Sequence, residues 1–263
     1  KRSTALSFDD GKVEQVTSGR DRGAGIRVVK GDTTGFAHTS DLSEAGLVAA
    51  AEAAASAAAQ GDGGNRTVAL TRGPERRVSP VEQYPDDVAK ADKVALLLRM
   101  DDAARGAGGA IVQVSASYGD SRKRIMVANT DGVLVSDEQV RTLARVTAVA
   151  DGDSGMQTGY QSNGMAKGFE LFRELDVDEM GREAARIALT KLKARPAPSG
   201  AMPVVIKQGT GGVLFHEACG HGLEADIIAK GGSVYRGKIG ELVASPLVTL
   251  VDDGTMAGEW GAI

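Results

Sequence analysis

The chain has 263 residues, 42% of them hydrophobic, with 31 Lys and Arg against 35 Asp and Glu for a formal charge of −4. That is enough apolar material for one large domain or two ordinary ones, and the well-mixed charges exclude a broad nucleic-acid face and an acidic tail. One cysteine, Cys219, excludes an intramolecular disulfide, aromatics at 4% limit stacking as a recognition mode, and no apolar run is long enough to span a bilayer. A soluble protein of a reducing, cytoplasmic setting is therefore expected.

The chain opens "KRSTALSFDD", with neither an initiator Met nor an apolar leader, so further residues are expected upstream. Residues 4–39 alternate apolar and polar side chains across "DDGK", the Gly23/Gly25 region and "GDT". Asp-Gly between alternating runs signals a hairpin, because Gly accepts the positive φ of a tight primed turn, and an antiparallel meander is predicted. Ser and Asp capping candidates, an Ala-rich run and terminal glycines predict a helix over 42–59. A short strand in a Pro-rich connection follows, and "VAKADKVALLLRMDDAARGAGG" resumes a helical period that stops at Gly106 to Gly109.

From residue 110 to 151 the alternation returns, broken by "YGDS" and "NTDG", which predicts three or four strands. Residues 152–168 carry glycine throughout and no sustained apolar period, so an exposed mobile loop is expected. "VDEMGREAARIALTKLKARPAPSG" reads as an amphipathic helix closed by Pro196, Pro198 and Gly200. The fold class expected is α+β, with antiparallel sheets and packed helices in an N-terminal domain over 1–198. A second, β-rich domain begins at 199–263 with a buried strand at "AMPVVIK".

Beyond that strand lies "GGVLFHEACGHGLEAD", which gathers two of the chain's three histidines around Glu217. Imidazoles suit zinc, and a glutamate beside the first histidine is the usual place for the base of a metallopeptidase. The histidines, however, are five apart. On a regular helix His216 and His221 would diverge by roughly 140°, too far to meet one ion. A π-bulge, with its i→i+5 bond, returns the fifth residue to the same face, and Gly220 and Gly222 make such a departure cheap. The alternative is a regular helix lining up Glu217, His221 and Glu224, with His216 as a neighbour. Glu224 and Asp226 read either as carboxylates orienting a histidine or as helix-surface charge.

The stretch "GGVLFHEACGHGLEAD", followed by "GKIGELVASPLVTLVDDGT", resembles the metal-site signature of the TldD/PmbA family, the modulator-of-gyrase metalloproteases. "GRDRGAGIRVVKGDTTGFAHTSDLSEAGLVAAAEAA" resembles that family's N-terminal domain. The resemblance is to the TldD type, since the PmbA (TldE) type lacks the histidine motif. It implies a zinc-dependent peptidase of unfolded or flexible peptides, working as a heterodimer with a TldE/PmbA-like subunit. His216 and His221 would be zinc ligands, Glu217 the catalytic base, and a Cys from further downstream the third protein ligand. The 263 residues then read as an N-terminal domain plus the beginning of a C-terminal one, inactive alone and weak or empty in metal. A noncatalytic binding or assembly subunit is the rival reading.

Other features read more plainly. Cys219, three residues after His216 and two before His221, reads as a small packing residue rather than a ligand, and His38 as an ordinary strand histidine. "KQGTGG" lacks the Gly-Lys-Ser/Thr ending of a phosphate loop, and "GDSG" around Ser154 lacks the partners of a serine nucleophile. Sheet-edge pairing is one way in which the chain could hold a peptide.

Overall fold

The structure, a computed structural model, describes residues 1–59, 61, 69–73, 79–209 and 211–262. It divides into two compact units, Lys1–Ala194 with Gly254–Ile263, and Arg195–Asp253. Among the described residues no helix is long and apolar enough to cross a membrane.

The first unit is α+β. Strands β1 (Arg2–Asp9) and β2 (Lys12–Arg20) form a hairpin. Its turn places Asp10 and Gly11 at φ 46° and 82°, the double positive φ for which Asp-Gly is suited. Strands β3 (Ala24–Lys30) and β4 (Thr33–Thr39) form a second hairpin. Helix α1 (Glu44–Ala57) packs against it, capped by Ser43, whose Oγ accepts from the Gly46 N–H at 3.2 Å. The expected single meander is therefore two separate sheets. The alanine face of α1, with Ala50 and Ala54 buried, covers β3 and β4 on its own, so these strands have no need to join β1 and β2.

The larger sheet is completed by β5 (Thr71–Arg72), β6 (Ile111–Ala128), β7 (Val133–Ala150) and β8 (Gln157–Met165). Its order is β2-β1-β6-β7-β5, with β8 also on β7. Beyond residue 110 the alternation yields two long strands rather than three or four. The "YGDS" segment is continuous strand, because Tyr118 and Asp120 both point to the buried face in unbroken register with β7. The one turn is at 129–132, where Asn129 Oδ1 accepts from the Asp131 and Val133 amides at 3.0 and 3.2 Å.

Helices α2 (Lys90–Arg105) and α4 (Val177–Leu192), with the short α3 (Leu171–Glu174) between β8 and α4, complete the unit. Asp176 caps α4, its carboxylate accepting from the Asp178 and Glu179 amides at 3.0 and 3.2 Å. The two long helices bury Leu97, Met100, Ala184, Ala185 and Ala188 against Leu6, Phe8, Val114, Tyr118 and Val146 of the sheet. Residues 157–165 are a paired strand, not the mobile loop expected. Gly159 makes that packing possible: a Cβ there would lie 1.8 Å from the Ala184 carbonyl oxygen. The glycines that hide the strand's period are the ones that let α4 approach it. Residues 254–262 also pack on this unit, with Ala166 donating to the Gly258 carbonyl at 2.9 Å and Arg141 Nε to that of Trp260 at 2.9 Å.

The second unit is made of short turns: α5 (Gly212–Phe215), a π-helical turn at His216–Gly220, a 3-10 turn at His221–Leu223 and α6 (Ala225–Ala229). No strand occurs among its described residues, and the predicted one at 201–207 is extended but unpaired, with Val205 97% exposed. A strand needs a neighbour to satisfy its backbone, and this segment has none among them.

Candidate metal centre

Helix α5 leads without interruption into the π turn. The His221 N–H donates to the His216 carbonyl, the i→i+5 bond that defines such a turn. The extra residue per turn cancels the divergence of a five-residue spacing, and the two imidazoles meet with centroids 4.4 Å apart at 73°. One ligand-type atom from each of His216, Glu217 and His221 lies within 4.8 Å of the other two. The structure thus brings together all three residues that the motif singled out, and His216 is not turned away as on a regular helix.

Glu224 belongs to the same cluster from the other side. Its Oε1 lies 2.6 Å from His221 Nδ1. A carboxylate only accepts, so Nδ1 carries the proton and Nε2 is left to face Glu217, whose Oε2 is 3.7 Å away. The Glu224 hydrogen bond, reinforced by the charges of Glu224 and Glu217, holds the His221 imidazolium above the ordinary range despite some desolvation. Asp226 is engaged elsewhere, with Lys230 at 3.1 Å.

The glycines divide their roles. Gly220 has helical angles, φ −58° and ψ −50°, and a Cβ there would meet nothing closer than 3.8 Å, so the turn does not require it sterically. At Gly222 a Cβ would touch the Tyr235 ring at 3.0 Å. Ser233 Oγ donates to the Gly222 carbonyl at 2.5 Å and accepts from the Tyr235 amide at 3.0 Å. This brace from 233–235 had no signal in the sequence. Cys219 is outside the cluster: its thiol donates back to the Phe215 carbonyl at 3.0 Å. His38 lies on β4 beside Phe36, and Ser154 Oγ donates to the Leu192 carbonyl at 2.9 Å, neither near a catalytic partner.

Two imidazoles and a carboxylate converging at this distance, one imidazole oriented by an outer carboxylate, form a donor set that suits a metal ion. The three profiles of the PmbA/TldA metallopeptidases all match: domain 1 at residues 1–58, the central domain at 83–192 and the C-terminal domain at 199–263. A metalloprotease of Methanothermobacter thermautotrophicus is 35% identical over 98% of this chain and 56% of its own length. A metalloprotease TldD homolog of Haemophilus influenzae is 36% identical over 97% of this chain and 54% of its own.

Among solved structures, a proposed modulator of DNA gyrase from Bacteroides thetaiotaomicron superposes with a TM-score of 0.80 at 16% identity, over 97% of this chain and 58% of that one. TldE from Thermococcus kodakarensis superposes at 0.65 with 17% identity, over 90% and 53%. The chain spans about half the length of the curated relatives it matches. With all three domain profiles in order along it and TldD homologs similar over nearly all of it, the chain belongs to the PmbA/TldD metallopeptidase family.

Proposed function

We propose that this chain supplies the metal-binding histidines and the catalytic base of a zinc-dependent peptidase that cleaves unfolded or flexible peptides in the cytoplasm. The observation that carries this reading is the π turn, which converges His216, Glu217 and His221 within 4.8 Å. His216 and His221 would hold the zinc, with a cysteine outside these 263 residues as the third protein ligand. When bound, zinc acts as a Lewis acid on the scissile carbonyl and brings the pKa of a coordinated water near neutrality.

The protein groups have separate tasks. Glu217 takes the proton of the attacking water and delivers it to the departing amine nitrogen. Glu224 fixes the tautomer and ring orientation of His221 through Nδ1. Residues 1–198 form the N-terminal part of this enzyme and 199–263 the start of its metalloprotease domain, and a TldE/PmbA-like subunit completes the working heterodimer. The likeness of the fold to TldE supports a partner of related architecture. The test is metal analysis of a chain of the relatives' full length, copurified with such a partner. Stoichiometric zinc that disappears in His216→Ala is expected; zinc unchanged in that variant contradicts the reading and favours a noncatalytic assembly role.

A further inference from the structure

Arg20, Arg2 and Arg122 stand directly opposite one another on β2, β1 and β6. Registered residues project from the same face, and like charges so placed destabilise a sheet. This face is the one that buries the core: moving outward along β1 and β6, Leu6 faces Tyr118, Thr4 faces Asp120, and Arg2 faces Arg122. Lys93 of α2 closes over Asp120 at 2.7 Å. The arginine row lies one facing pair further out.

There the three arginines, with Lys1, Arg22 and Arg124, line a concavity of about 250 Å³ in which Asp21 is the one lining acid among the described residues. Two further acids partner the row. Asp86 lies 3.1 Å from Arg2 and 3.7 Å from Arg122, and Glu138 lies 3.0 Å from Arg122 and 2.7 Å from Arg124. Six cationic side chains therefore face three acids. Arg20 makes no ion pair among the described residues, while Arg22 also acts electrostatically on Asp41. Arg122 is fixed in place, its guanidinium 3.9 Å from the Tyr84 ring centroid and Tyr84 in turn donating to Glu138 at 2.8 Å.

We propose that this concavity binds a compact anion of two or more linked phosphoryl groups, either free or as the end of a nucleotide. Guanidinium forks match phosphoryl oxygens in bidentate fashion, and several converge here. Among the described residues no aromatic side chain lines the hollow, so they offer no stacking platform for a nucleic-acid strand. Same-side acidic residues of an extended peptide are about 6.7 Å apart, wider than the roughly 5 Å between neighbouring arginines of the row. Linked phosphoryls are closer together and engage several forks at once.

The test is isothermal titration of the chain with pyrophosphate, orthophosphate, ATP and a glutamate-rich peptide at low salt. All titrations use the His216→Ala/His221→Ala background, which removes the histidine site. Pyrophosphate is expected to bind one to one and more tightly than orthophosphate. Arg20→Gln, exposed and unpaired, is expected to weaken it by about tenfold or more, while Lys12→Gln, at the other end of β2, leaves it unchanged. Equal affinity for ATP and pyrophosphate means that the phosphates alone are read, and tighter ATP points to a nucleotide source; both support the site. Absence of pyrophosphate binding, indifference to Arg20→Gln, or preference for the peptide overturns it.

Discussion

Lys93 of α2 and Asp120 of β6 are an ion pair at 2.7 Å with each side chain only 3% exposed. The ammonium lies 5.2 Å from the centroid of the Tyr118 ring. The Tyr118 hydroxyl is buried beside them, and burial, followed by the charge and hydrogen bonding of Asp120, pushes its ionisation far above the ordinary phenol range. Lys93→Met removes the cation and strands a carboxylate in a site closed to solvent. Breaking one side of such a pair costs about 3–5 kcal/mol, whereas replacing both charges by packed apolar groups is near neutral or stabilising.

Lys93→Met and Asp120→Leu are therefore expected to be strongly non-additive, with the double variant within about 1 kcal/mol of the parent. Urea unfolding followed by Trp260 fluorescence reads the relevant unit, because Trp260 is the only tryptophan and packs on Arg141 of β7. Equal denaturant slopes across the four proteins are needed for the comparison. A Lys93→Met loss under about 1 kcal/mol, or a double variant as weak as the two singles combined, would refute the reasoning.

Gly159→Ala places a methyl against the Ala184 carbonyl and is expected to cost about 3 kcal/mol in the same unfolding assay; a wild-type midpoint would contradict the close approach of α4. Glu138 has its pKa lowered from 4.5 to about 2, burial being outweighed by hydrogen bonds from Arg124, Tyr84 and Arg122. A depressed carboxylate contributes stability above its unfolded pKa and loses it as pH falls, here about 3 kcal/mol between pH 4.5 and 2, so Glu138→Gln should flatten the acid limb of an unfolding series over that window. His221 is expected to titrate above the ordinary imidazole value by NMR in the metal-free chain and to fall in Glu224→Gln; an unmoved resonance would sever the Glu224 link. In the metal-loaded protein Glu224→Gln should lower zinc affinity about 10–100-fold by chelator competition.

The parts of the fold that were legible in the sequence are local ones. The Ala-rich run and the amphipathic period announce helices α1 and α4, and Asp10-Gly11 and the 129–132 segment announce their turns, whereas the caps themselves, Ser43 and Asp176, were not singled out. What was not legible depends on distant partners. The pairing of β1 with β6 joins residues more than a hundred apart in the chain, and glycine at 159 and 164 erased the alternation of β8, because its packing needs space for Ala184 and Trp260. At the metal centre, the odd spacing itself carried the π turn. The Ser233 brace comes from a contact eleven residues away, and the choice of Glu224 over Asp226 from the local turn that follows His221, with Asp226 paired to Lys230 instead. The arginine row is invisible in a chain of net charge −4, since its members converge only when β1, β2 and β6 are in register.

The central claim is that Glu217 moves protons while His216 and His221 hold the metal. Its most direct test is peptide hydrolysis and zinc content measured side by side for Glu217→Ala in a chain of the relatives' length with its partner. Zinc retained at the parent level with hydrolysis abolished is the expected result; continued hydrolysis, or zinc lost together with the carboxylate, would contradict the assignment.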